Sequence, residues 1–126
     1  MKLDSKNAEM REHLAMAYVQ TGRFGDAAAQ LKTAAGIAPD DPIVHALLSQ
    51  VLTTTGQLAD AILEQQKALQ LNANDADGWN NLGVLEAKAG KTSEAREAFE
   101  HALRIDPNHA QARANLSRLQ AKAEGH

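Results

Sequence analysis

The chain is 126 residues long, carries a formal net charge of −3, and contains twenty-five alanines and fifteen leucines against four valines, four isoleucines and four aromatics (Tyr18, Phe24, Trp79, Phe99). Alanine and leucine favour helix while the scarce residues favour strand, which excludes a β-sandwich or barrel, and also a wide core that alanines could not fill. The acidic balance offers no field for nucleic acid or anionic lipid, the absence of cysteine removes disulfide and thiolate chemistry, and no apolar run approaches the roughly 18 residues that span a bilayer.

A 34-residue period organises the chain. Gly22, Gly56 and Gly90 share one column; Ala27, Ala61 and Ala95 a second; Ala34, Ala68 and Ala102 a third; Leu14, Leu48, Leu82 and Leu116 a fourth. Pro39 and Pro107 stand 68 apart with Ala73 between them. Such a register is the signature of stacked repeats and divides the chain into units 8–41, 42–75 and 76–109, with a partial unit from 110. Residues 1–7 lack the apolar stretch of a secretory leader, and the compartment is left open with the cytoplasm favoured. Leu3–Asn7 aligns with Ile37–Asp41 and with Ile105–His109, so residues 1–7 read as the tail of a preceding repeat or as an N-terminal arm.

Each unit is predicted to hold two helices. In the first they cover Ala8–Thr21 and roughly Phe24–Ala38, separated at Gly22 and closed by Pro39. In the second they cover Pro42–Thr55 and Ala59–Leu71 around Gly56, followed by the turn formers Asn72–Asp75. In the third, Leu82, Leu85 and Ala89 mark a helix over Ala76–Ala89, and Ala95, Ala98, Phe99, Ala102 and Leu103 mark one over Glu94–Ile105. Ser93 is the expected N-cap of the latter, and Asp106-Pro107 its stop. Glycine after each first helix suits a left-handed cap. Gly36 stands inside a helix, with close packing as the one account of it. The segment 110–124 is predicted to be a single capping helix. Its Ala112, Leu116, Leu119 and Ala123 face inward and Arg113, Ser117, Gln120 and Glu124 outward, and order ends at Gly125-His126.

The third unit reads Trp79-x2-Leu82-Gly83, then Gly90, Ala95, Phe99, Ala102 and Pro107. This resembles the tetratricopeptide repeat (TPR), whose period is 34 residues. The other units are looser. Arg11 and His45 hold the Trp column, Ala15 and Ser49 the glycine beside it, and Leu31 and Gln65 the Phe column; Tyr18 holds the Tyr column, where Leu52 and Glu86 follow. Smallness persists where two helices of the family touch closely. Pentatricopeptide repeats, which bind RNA, have a period one residue longer and a basic face, and fit neither this spacing nor this charge.

The resemblance implies an all-α fold, an α-solenoid of antiparallel helix pairs wound as a right-handed superhelix, with three TPRs and a C-terminal capping helix. It implies that the first helices line a concave groove for a partner peptide or helix. Carried onto this sequence, the groove presents Glu12, His13, Met16, Val19 and Gln20; then Ile43, Ala46, Leu47, Gln50 and Thr54; then Asp77, Asn80, Asn81, Val84 and Lys88; then Gln111, Ala114, Asn115 and Arg118. Its apolar part is Met16, Val19, Ile43, Leu47 and Val84, and its amides can hold an extended peptide backbone. Chaperone-binding members grip a C-terminal carboxylate with a Lys/Asn/Asn/Lys/Arg clamp. Here those places hold Glu12, Met16, Leu47, Asp77 and Asn81, and the register one repeat on holds Ala46, Gln50, Asn81, Gln111 and Asn115. Glu12 and Asp77 would repel an acidic C-terminus.

No nucleophile turn or phosphate-cradling loop is present. The histidines lack i, i+4 pairing with one another, so no metal and no cofactor is expected. Glu9–His13 and Glu97–His101 are expected merely to decorate solvated faces, and His45 to pack between helices. The expected function is a non-catalytic protein–protein interaction module, without nucleic-acid or membrane partners, monomeric or weakly dimeric. Two alternatives stand beside it: a substrate-recruiting arm of a larger enzyme such as a glycosyltransferase, and a self-association domain.

Overall fold

The computed structural model describes residues 2–123, and the side chains of residues 6–122. These residues form seven helices: α1 (Lys2–Gln20), α2 (Phe24–Ile37), α3 (Pro42–Thr54), α4 (Leu58–Leu71), α5 (Ala76–Lys88), α6 (Thr92–Ile105) and α7 (Ala110–Ala123). They fall into two compact units, Met1–Leu71 and Asn72–His126. In unit 1 each helix packs on the next, α1 on α2, α2 on α3 and α3 on α4. In unit 2, α5 packs on α6, α6 on α7, and α5 also touches α7. The alanine columns lie in the seam: Ala27, Ala34, Ala61, Ala68, Ala95 and Ala102 are all buried.

Two boundaries differ from expectation by more than one residue. The first helix starts at Lys2 rather than Ala8, because Lys2–Asn7 contains neither proline nor glycine to interrupt it. The second helix of the third unit starts at Thr92, with Lys91 and not Ser93 at its N-cap position and no side-chain cap. The reason lies in the turn before it. Gly90 N–H donates to the Ala87 carbonyl at 3.1 Å and Lys91 N–H to the Glu86 carbonyl at 2.8 Å, the paired bonds of a Schellman helix end. Ala95 N–H then donates to the Lys91 carbonyl, so the residue that closes one helix opens the next. Arg23 and Gln57 repeat the arrangement. It requires the left-handed backbone found at Gly22, Gly56 and Gly90, with φ of 77°, 82° and 81°. The expected end of order at Gly125-His126 and the outward place of Glu124 lie outside the described residues.

The column that holds tryptophan in the third unit is a column of N–H donors. Trp79 Nε1 donates to the Ala73 carbonyl at 2.8 Å, His45 Nε2 to the Pro39 carbonyl at 2.8 Å, and Arg113 to the Pro107 carbonyl. Each acceptor lies six residues upstream, so a side chain ties each inter-repeat loop to the helix that follows it. Across the helix pair, Arg11 donates to Gln30 and His45 pairs with Glu64, both at 2.8 Å. Burial opposes the Glu64 carboxylate, but the hydrogen bonds from His45 and Lys67 outweigh it and hold its carboxyl below the usual range.

The small-residue column is set by what faces it. A Cβ on Gly83 would stand 2.5 Å from the Phe99 ring, and Phe99 is buried. One repeat earlier, Ser49 Oγ donates to the Ala61 carbonyl at 2.8 Å; in the first repeat the column pair is Ala15 and Leu31, both buried. Close packing does not account for Gly36, because a Cβ there would meet nothing within 4 Å. The leucine column divides as well: Leu48 and Leu82 are buried, while Leu14 is 41% exposed. Helix α1 packs chiefly on α2, whereas α3 has both α2 and α4 packed on it.

Candidate peptide-binding surfaces

In unit 1, α1, the α2–α3 loop and α3 enclose an open cleft of about 770 Å3. Five of the sequence-predicted groove residues, Glu12, His13, Met16, Ile43 and Leu47, line it together. Asp41 sets the angle of α3 by accepting from Ile43 N–H at 3.0 Å, with Pro42 at the first helical position. That start leaves Ile43 62% exposed opposite Met16, itself 49% exposed. Val19 and Gln50 are exposed on the same helices but do not line the cleft.

The cleft also holds residues that sequence reasoning missed: Glu9, Asp40 and Asp41 at its rim, and Ile37, Ala38 and Pro39 in its wall. Asp40 and Asp41 stand in sequence as turn formers, and only the short loop between α2 and α3 brings them beside α1. With Glu12 they make four carboxylates, and no lysine or arginine lines the cleft. Among the described residues none of the four forms an ion pair. Burial, then Asp41 and Glu9, raise the Glu12 carboxyl above its ordinary range, with His13 opposing them.

The predicted residues of unit 2 are arranged differently. Asn80, 4% exposed, accepts from Asn115 Nδ2 at 3.0 Å. Asp77 accepts from His109 Nε2 at 2.6 Å, while His109 Nδ1 accepts from Ala112 N–H at 3.1 Å and so caps α7. Three of the predicted contact residues are therefore engaged within the unit. Asn81, Lys88 and Arg118 are exposed and Val84 is half-buried. His101 does more than decorate a solvated face: it is half-buried and its ring stacks on Trp79 with centroids 3.9 Å apart. Glu86, 5% exposed, has one buried oxygen without a hydrogen-bond partner. Burial and Glu94 push its carboxyl up to about 7, against Lys91 and with Glu97.

Among the described residues no three His, Asp or Glu side chains gather as a metal site, and no helix is long and apolar enough to cross a membrane.

Tetratricopeptide repeat profiles match residues 1–51, 44–75 and 76–109. No curated protein sequence matches the chain. Solved structures do. The first TPR of Spaghetti (RPAP3), bound to the HSP90 peptide SRMEEVD, is 18% identical with a TM-score of 0.90, covering 96% of each chain. MamA is 24% identical with a TM-score of 0.89, over 98% of this chain and 72% of that one. The second TPR domain of human RPAP3, in complex with the HSP70 peptide SGPTIEEVD, is 17% identical with a TM-score of 0.83, over 94% and 97%. The all-helical fold is thus that of TPR solenoids.

Proposed function

The chain belongs to the tetratricopeptide repeat family, and from that premise we propose that it is a non-catalytic interaction module that holds a peptide or helix of another protein against the first helices of its repeats. The observation that carries this reading is the unit 1 cleft, where Met16 and Ile43 stand uncovered beside Glu12, His13 and Leu47. Exposed aliphatic side chains at helical spacing suit an amphipathic helix or the alternate side chains of an extended peptide. The exposed Val19 and Gln50 in unit 1, and Asn81, Lys88 and Arg118 in unit 2, supply further contacts on their own helices. The repeat units remain 8–41, 42–75 and 76–109, with residues 110–124 as the cap.

Solved neighbours of this fold are bound to the peptides SRMEEVD and SGPTIEEVD, which is the support for peptide capture. Their acidic ends do not suit this chain, whose cleft carries carboxylates in place of a basic clamp. Selection of random peptides of about 12 residues on the folded protein tests the reading. Enrichment is expected, and is expected to vanish on a Met16→Ser/Ile43→Ser variant that keeps its helicity and melting temperature. Enrichment that survives the double change would refute the cleft.

A second reading is self-association through α1, resting on Met10 and Leu14, which are exposed on one helix face at i, i+4. A dimer seen by sedimentation and dissolved by Leu14→Glu would establish it; a monomer at the highest attainable concentration would remove it.

A further inference from the structure

The unit 1 cleft combines an apolar floor with a rim of one sign. Met16, Ile43 and Leu47 give the floor, and Glu9, Glu12, Asp40 and Asp41 the rim. None of these carboxylates has a cation of this chain as its partner among the described residues, although thirteen lysines and arginines occur in the sequence. Charges this close reinforce one another within a Debye length of about 10 Å at 0.1 M salt. Like-charge juxtaposition excludes wrong partners as strongly as opposite charge recruits right ones.

From this complementarity we infer that the occupant of the cleft is a cationic amphipathic segment of a partner protein, placing aliphatic side chains on Met16, Ile43 and Leu47 and lysine or arginine against the carboxylate rim. The inference rests on the groove reading above and specifies its partner. Glu12 is the pivot. It stands half-buried between floor and rim, and its charged form is disfavoured by burial and by its acidic neighbours; a cation brought by the partner removes that conflict. Arginine suits the place well, because its fork engages two carboxylates while its stem covers apolar surface. An acidic C-terminal segment would add its charge to the four already there. A second copy of this chain carries a net charge of −3 and is disfavoured by the same field.

Three synthetic peptides of about 12 residues test this, sharing leucines at i, i+3, i+4 and i+7 and carrying lysine, glutamine or glutamate at the other places. Calorimetry on the full chain is expected to rank lysine above glutamine by about tenfold in Kd, with no binding of the glutamate peptide. The lysine preference should shrink between about 0.1 M and 1 M salt, where the Debye length falls to about 3 Å. Glu9→Gln/Glu12→Gln/Asp40→Asn should abolish that preference, and circular dichroism should show the variant folded. Equal binding of all three peptides, tightest binding of the glutamate peptide, or a preference that survives the triple change would overturn the inference. In the first and last cases, loss of binding on Met16→Ser/Ile43→Ser would leave the groove reading standing. Binding of none of the peptides overturns the cationic occupant, and the random-peptide selection decides the groove separately.

Discussion

Unit 1 and unit 2 are built on one repeat but treat their first-helix faces in opposite ways. In unit 1 the face keeps uncovered aliphatic side chains around a cleft whose carboxylates form no ion pair among the described residues. In unit 2 the equivalent places bond to one another: Asn80 to Asn115 and Asp77 to His109. Ile43 and Asp77 occupy the same column 34 residues apart, yet one lines an open cleft and the other accepts from His109, the cap of α7. Repeat position alone therefore does not decide whether a first-helix residue bonds within its own unit; in the proposed reading, the residues left without such a bond are the ones offered to a partner.

The largest expected effect sharpens this contrast at the seam. Gly83→Ala should destabilise the protein by about 2–3 kcal/mol, since the added methyl overlaps the buried Phe99 ring. Thermal denaturation checks the loss. Adding Phe99→Leu turns the pair into the Ala–Leu combination of the first repeat, and should recover about half of it.

Glu86→Gln should stabilise unit 2 by about 1–2 kcal/mol at pH 8, allowing for partial solvent screening. Glu86 titrates near 7 when folded against an ordinary 4.5. Below about 4.5 both states are protonated and the group costs nothing. As pH rises from there to about 7 the unfolded chain ionises first, so this contribution to stability is lost across that window. Denaturant melts of both proteins at pH 4 and pH 8 should show the variant's advantage only at the higher pH.

His109→Ala removes a helix cap and the partner of Asp77, and should cost about 1–2 kcal/mol; His109→Asn, which can still cap, should cost less. If the two cost the same, the Asp77 bond rather than the cap holds α7. The smallest effect is a gain: Gly36→Ala should add about 0.5–1 kcal/mol, because the site is helical and open. A melting temperature that falls instead would show that the glycine serves something other than the helix.

The helix pairs and their glycine turns were legible in the sequence because a 34-residue register repeats the same backbone demand three times. Ser93 misled, since a hydroxyl before an apolar run signals a cap, but the Schellman turn at Gly90 had already started the helix at Thr92. The donor column of His45, Trp79 and Arg113 was invisible as chemistry, because three dissimilar side chains share only an N–H at the right reach. The cleft floor was readable from the family pattern. Of its rim only Glu12 was, because Asp40 and Asp41 border a loop and Glu9 lies a turn before the predicted row. The pairing of Asp77 with His109 spans 32 residues and depends on how α7 returns to α5, which no local pattern encodes.

The most direct test of the central claim is a backbone NMR titration of the whole chain with a peptide selected on it. Shifts concentrated at Glu12, His13, Met16, Ile43 and Leu47, and absent around Gly36 and Lys67, are the predicted result. Shifts confined to the surroundings of Gly36 and Lys67, or to unit 2 alone, would contradict the assignment of partner binding to the unit 1 cleft.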